Sequence, residues 1–304
     1  ILSLFLAGVG LFSGIYHPAG LGLISRGISR MSMALGYNGM AGNAGLATAP
    51  ILTGVINYFF GIRAVYLFLG GINLMGTLLM ILLRSREPER NSKAESHGSG
   101  YLLTGFVILC VCMMLGGVAY RGTTVILPSY FELKSQGLFE ALNRLQWLLP
   151  SKNVAATALT SIALLVGMVG QYMGGMAAER LDARKSYLLF HSLAMPLALL
   201  MAYTTDIPLF FVAMGYLFFF LGMQPVENTL VAYLTPDKLR HSAYGTKFIL
   251  TFGVGALSVH LVGWIKGLWS LSAVFVVLAG VSFGIVLFIL LLNAVTKNLS
   301  LGKG

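Results

Sequence analysis

Glu227 lies in the stretch LGMQPVENT (221–229), beside Gln224 and Asn228, inside a run from 207 to 234 that is otherwise almost wholly apolar. An ionised carboxylate in hydrocarbon is costly, so an acid placed there faces a partner or a water-filled cavity. It is the only one of the ten acidic residues that the sequence puts within such a run. His17, next to Tyr16, lies in a second apolar run, and imidazole exchanges protons near neutrality. Arg121 lies in a third run, which continues for ten residues beyond it. Two readings of Arg121 stand. It lies inside its helix, where it pairs with Glu227 or holds an anionic substrate, or it reaches back to the outer interface. These groups suit binding and release of protons. They do not suit covalent chemistry, since the chain has no phosphate-binding loop, no nucleophile elbow and no Cys/His cluster. An ATP-driven machine, a hydrolase, a metal centre and a cofactor are therefore not expected, and the protein is read as no enzyme.

The elements that must hold these residues follow from composition. Hydrophobic residues make up 57% of the 304 and charged residues 10%, with a mean hydropathy of +0.83, against roughly 25% charged in a soluble domain. A membrane-spanning helix needs about 20 apolar residues. Nine such runs occur, near 1–25, 37–60, 62–83, 101–130, 154–178, 186–204, 207–234, 243–265 and 270–293. They are continuous and long, unlike the alternating segments of about 10 residues in a transmembrane barrel. The expected class is an all-α, multi-pass integral membrane protein, with the lipid bilayer as its solvent.

The formal charge of +10 reads as an orientation signal and not as a nucleic-acid surface. With the runs alternating sides, fourteen basic residues collect on one side: Arg26, Arg30, Arg84, Arg86, Arg90, Lys93, Arg180, Arg184, Lys185, Lys238, Arg240, Lys247, Lys297 and Lys303. The other side has six, namely Arg63, Arg121, Lys134, Arg144, Lys152 and Lys266. Cytoplasmic loops are the Lys/Arg-rich ones, so the C-terminus is expected in the cytoplasm, and a bacterial inner membrane is the expected location. Cys110 and Cys112 are two apart on a helix, face different ways and read as packing residues.

An internal repeat orders the runs. A shift of 209 residues lays LGGINLMGTLLMILL (69–83) on LAGVSFGIVLFILLL (278–292) and Gly54 on Gly263, and a shift of 207 lays Tyr16-His17-Pro18 on Met223-Gln224-Pro225. Three runs of the first part thus match the last three, which predicts a six-helix repeat with roughly three helices, on the order of 100 residues, upstream of residue 1. The divisions are 1–83, the end of a first bundle; 84–100, a polar linker expected in the cytoplasm; and 101–304, a second bundle. An insertion at 131–153 groups Leu138, Leu142, Leu145 and Leu149 opposite Glu140 and Arg144, which predicts a short helix on the outer membrane surface.

Two motifs carry a family resemblance. Gly175-x3-Glu179-Arg180-x-Asp182-x-Arg184-Lys185 resembles the cytoplasmic G-x3-D-R-x-G-x-R-K turn of the major facilitator superfamily, with Glu for Asp and Asp182 for the second Gly. Gly36-x8-Gly45-x3-Ala49-Pro50-x2-Thr53-Gly54 is similar to the antiporter motif of that family's exporters, with Ala49 and Thr53 in place of glycines. The resemblance implies two pseudo-symmetric bundles around a central cavity, of which this chain supplies helices four to twelve. It also implies that the fourth and tenth helices line the cavity, so that His17 and Glu227 face each other across it, about two thirds of the way toward the cytoplasm. Asn43, Gln171, Asn228, Thr246 and His260 fall on lining helices by the same reasoning, or they fasten helices together. His191 and Asn73 fall on peripheral helices and read as packing or lipid-edge residues. Glu179 and Arg180 are expected to clamp helix ends in one conformation and release them in another, or to anchor a helix end. The helix-four arginine of the family's proton-coupled drug exporters is missing, with Gly8 near its place.

The leading expectation is a secondary transporter that moves a small organic solute by alternating access, coupled to protons and directed outward. A non-transporting accessory protein of the same fold and a proton-driven importer are the alternatives. Neither the substrate nor the oligomeric state can be read from the sequence.

Overall fold

Hydrocarbon offers a free peptide group no partner, so every long apolar run must close its hydrogen bonds within itself. The computed structural model describes residues 2–83, 99–144 and 152–299. In chain order it comprises α1 (Leu2–Gly27), α2 (Met31–Phe60), α3 (Ile62–Leu83), α4 (Ser99–Lys134), α5 (Gln136–Arg144), α6 (Lys152–Arg180), α7 (Ala183–Tyr203), α8 (Asp206–Tyr233), a 3-10 turn (Asp237–Leu239), α9 (Arg240–Leu268) and α10 (Leu271–Val295). Among the described residues, nine helices are long and apolar enough to cross a membrane, which matches the nine expected. Several begin earlier than hydropathy suggests, most clearly α2 at Met31, α7 at Ala183 and α9 at Arg240. Hydropathy marks only the hydrocarbon-embedded part of a helix. The first turns extend into the interface, where water can satisfy their free N–H groups.

Two expectations about connections change. Most of the linker, 84–98, lies outside the described residues, and Ser99 and Gly100 already belong to α4. The insertion is shorter as a separate unit than expected, because α4 runs on to Lys134 and leaves α5 as a single short helix, with 145–151 outside the described residues. Glu140 and Arg144 are exposed, as amphipathicity predicts, but Phe139 is buried against the bundle. Asp206, at the start of α8, accepts a hydrogen bond from the Leu138 amide at 2.9 Å.

The buried core belongs mainly to α4 and α6–α10. Four fully buried tyrosines brace it: Tyr130, Tyr187, Tyr216 and Tyr244. A phenol enclosed in apolar surroundings needs a partner for its hydroxyl, and each has one. Tyr130 donates to the Met201 carbonyl at 2.6 Å, Tyr216 pairs with Thr123 at 3.1 Å, and Tyr244 donates to the Asn228 carbonyl at 2.8 Å. The fourth, Tyr187, is part of the site below. The first three helices join this core mainly where α2 packs on α6 and α1 on α9, with α2 also touching α8.

Candidate functional site

Glu227 sits in the lower half of α8 and is only 4% exposed. Both carboxylate oxygens are engaged. Lys247 Nζ, from α9, lies 2.7 Å from Oε1, and the Tyr187 hydroxyl, from α7, donates to Oε2 at 2.6 Å. The lysine ammonium also donates to Asn228 Oδ1. One acid thus ties three helices together, and the amide expected to line a cavity serves the cation. Three ion pairs occur among the described residues, and this is the only one that joins two membrane-spanning helices. A charge pair this deep survives only because each member satisfies the other and further hydrogen bonds complete both shells.

The pairing differs from one of the two readings of Arg121, the one that places it on Glu227. Arg121 lies inside α4 but is exposed, and Lys247 takes its proposed role. Lys247 was counted among the basic residues flanking the spans, yet it is the eighth residue of α9 and 4% exposed. One signal pointed to it. It falls four residues inside the run 243–265, and a buried acid requires a cation at its own depth. Tyr187 gave no such signal, because nothing in the order of residues tells which face of α7 meets α8. His191, read as a packing or lipid-edge residue, is fully buried, with its ring edge-on to Tyr187 at 4.8 Å.

The other predicted residues separate into three groups. His17 is half-buried and stacks on Phe248 of α9, with ring centroids 4.5 Å apart. Tyr16, its neighbour, is exposed and donates to Asn38 at 3.2 Å. Gln171 and Gln224 bond to each other across α6 and α8 at 3.0 Å, while Asn43 donates to the Leu164 carbonyl of α6 at 2.6 Å. These amides fasten helices. Thr246 and His260 are exposed.

At the end of α6, Glu179 and Arg180 form no ion pair among the described residues in this conformation. Asp182 and Arg184 carry the charge contact instead. The Asp182 carboxylate caps α7 by accepting from the Arg184 and Lys185 amides, and it pairs with the Arg184 guanidinium at 2.6 Å. Arg184 in turn donates to the Thr296 carbonyl, where α10 ends and negative dipole accumulates. Burial pushes the Asp182 carboxyl up, but the hydrogen bonds from the Arg184 side chain and amide, with the guanidinium charge, outweigh it and hold the group below its ordinary value. Lys185 remains exposed. The Asp that replaces glycine in the motif is thus a helix cap.

The two motif regions meet at one point. Gly36 of α2 lies directly against Gly175 of α6: a Cβ on Gly175 would fall 3.0 Å from the Gly36 Cα and 2.9 Å from the Ser32 carbonyl oxygen. Gly45 and Gly54 have open space around them, and Pro50 lies within an α2 that continues unbroken to Phe60.

Nine apolar helices of spanning length among the described residues, with a charged, hydrogen-bonded pair enclosed between three of them, define a polytopic membrane protein. The family model of the Major Facilitator Superfamily matches residues 1–246, and the chain belongs to that superfamily of membrane transporters. Among solved structures it is similar to the fucose:proton symporter FucP of E. coli, with a TM-score of 0.65 and 14% identity over 91% of this chain and 73% of that one. A structure of the transporter FucP in the outward conformation gives a TM-score of 0.63 at 14% identity, covering 91% and 72% of the two chains. At that identity the likeness establishes the fold. No curated protein sequence matches the chain.

Proposed function

We propose that the protein is a secondary transporter that moves a small organic solute by alternating access, with Glu227 as the group that loads and releases the coupling proton. The observation that carries this reading is the Glu227–Lys247 pair. While Glu227 is ionised, the pair is neutral overall and can stay enclosed. When Glu227 takes a proton, the ammonium of Lys247 loses its counter-charge, and a lone buried cation calls for water or an anionic group. The protonated state therefore favours a conformation in which this level opens. Helices that needed only fastening could be joined by neutral amides, as Gln171 and Gln224 join α6 and α8.

Export is the first reading of direction, on the likeness of Gly36, Gly45, Pro50 and Gly54 to the exporters' motif. Symport is the second, since a structural neighbour is described as a proton symporter. Proteoliposomes carrying the purified protein, with a pH gradient imposed in either direction, decide between them. Glu227→Gln should remove gradient-driven flux, and the double variant Glu227→Gln/Lys247→Met, which leaves no unpaired buried charge, should be folded and equally without it. Undiminished gradient-driven flux in either variant refutes the coupling role.

A further inference from the structure

Helices α1 and α9 meet along one continuous line of contacts. At its deep end His17 stacks on Phe248, with planes at 24°. About two turns of α9 away, His241 Nδ1 lies 3.3 Å from the Pro18 carbonyl oxygen, and its ring covers Gly22 so closely that any side chain there would collide with it. At the far end the arginines cross over. Arg240 donates to the Ser25 carbonyl at 2.8 Å, Arg26 donates to the Asp237 carbonyl at 2.5 Å, and Asp237 holds Arg240 at 2.7 Å. The Arg240 and Asp237 side chains are 17% and 28% exposed. This end lies nearer to water than the Glu227–Lys247 pair, whose side chains are each 5% exposed.

The deep end of this line is one residue from Lys247, whose ammonium sits 5.7 Å from the centre of the Phe248 ring. With Glu227 ionised, Lys247 is held by Glu227 and Asn228, which fixes the turn of α9 that presents Phe248 to His17. We propose that His17 and Phe248 are positioning residues that transmit the charge state of Glu227 to the α1–α9 line, so that proton loading releases these two helices at the Arg26–Arg240 end. The inference rests on the reading of Glu227 as the proton site. The titratable groups that act on Glu227 are Lys247 from α9, Tyr187 and His191 from α7, and Cys110 and Cys112 from α4; Lys247 also acts on His17 of α1.

The test uses the full-length chain in lipid, with Cys110 and Cys112 replaced by Ala and spin labels at Ile28→Cys and Leu239→Cys, both exposed positions on the two sides of this end. The label-to-label distance is measured against pH. The parent should pass from a mostly short to a mostly long distance on acidification. Glu227→Gln should be mostly long at every pH. His17→Phe, which keeps the stack and loses the imidazole, should follow the parent, whereas His17→Ala and Gly22→Val should be long throughout. A Glu227→Gln chain that keeps the short distance, or a His17→Ala chain that still responds to pH like the parent, overturns the proposal. If Glu227→Gln does not assemble, the comparison of parent, His17→Phe and His17→Ala decides alone. Failure of gradient-driven flux with normal label movement would refute the transport reading and leave this inference standing.

Discussion

The two lines along which the first three helices meet the rest are built from different materials. Along α2–α6 the contact is neutral and close: backbone lies on backbone at Gly36 and Gly175, Tyr37 and Tyr172 rings lie 6.1 Å apart, and Asn43 caps the line with one hydrogen bond. Along α1–α9 the contact is aromatic at one end and ionic at the other. Dispersion between apposed backbones does not depend on protonation and falls off steeply with separation, so the first line suits a contact that stays closed or pivots. The ionic end of the second line is less enclosed than the Glu227–Lys247 pair, so the second suits one that opens. On the proposed transport cycle, the difference favours α2–α6 as the pivot and α1–α9 as the line that opens.

The largest expected effect comes from the pair that adjoins the opening line. Lys247→Met leaves the Glu227 carboxylate buried without its cation, a change of about 3–5 kcal/mol in comparable buried pairs. We expect lost thermal stability in detergent and lost gradient-driven flux. The double variant Glu227→Gln/Lys247→Met should recover stability and not flux. If the single variant is as stable as the parent, the pair is not the buried anchor described here.

At the pivot, Gly175→Val puts a branched side chain where the nearest neighbours are the Ser32 carbonyl and the Gly36 Cα, and neither is the end of a flexible group. Overpacking of this kind costs about 1–3 kcal/mol, and flux should fall equally at every pH. Gly45→Ala and Gly54→Ala, with open space at both sites, should leave melting temperature and flux near the parent's. An equal loss in all three variants would mean that the close Gly36–Gly175 approach is not what makes the α2–α6 line sensitive.

The fold was legible because the bilayer leaves few options: nine long apolar runs can only be helices, and their lengths follow the hydrocarbon thickness. Glu227 was legible for the same reason, as an acid out of place. What surrounds it was not. Tyr187, Lys247 and Glu227 come from three helices, and which faces meet depends on helix rotation, to which the apolar order is almost blind when residues are hydrophobic all round. Lys247 was misplaced because a basic residue a few positions inside a helix looks the same in sequence whether it reaches outward to water or inward to an acid. The Gly36–Gly175 contact was hidden in two motifs read separately, since neither records that the other packs against it.

A smaller effect is expected at the α6–α7 turn. Asp182→Ala removes a helix cap, worth about 1 kcal/mol, together with the pair to Arg184. Because the folded-state carboxyl is held below its ordinary value, the stability it contributes is present above that value and is lost as the pH falls through the lowered one. Parent and variant should therefore differ in melting temperature at neutral pH and converge in acid. Asp182→Asn, which can still cap, should fall between them. A constant difference at all pH values would mean that the charge contributes nothing.

The smallest effect belongs to Asn43, and it tests whether the amides of the pivot fasten or bind. Its side chain donates to the Leu164 carbonyl at 2.6 Å, an interhelical hydrogen bond of a kind worth about 0.6 kcal/mol inside membranes. Asn43→Ala should lower the melting temperature slightly and leave the half-saturating solute concentration and the pH profile of flux unchanged, because a fastener contributes equally whether or not solute is present. A change in apparent affinity with no change in stability would make Asn43 a lining residue, and the α2–α6 line would then be part of the transport path as well as its pivot.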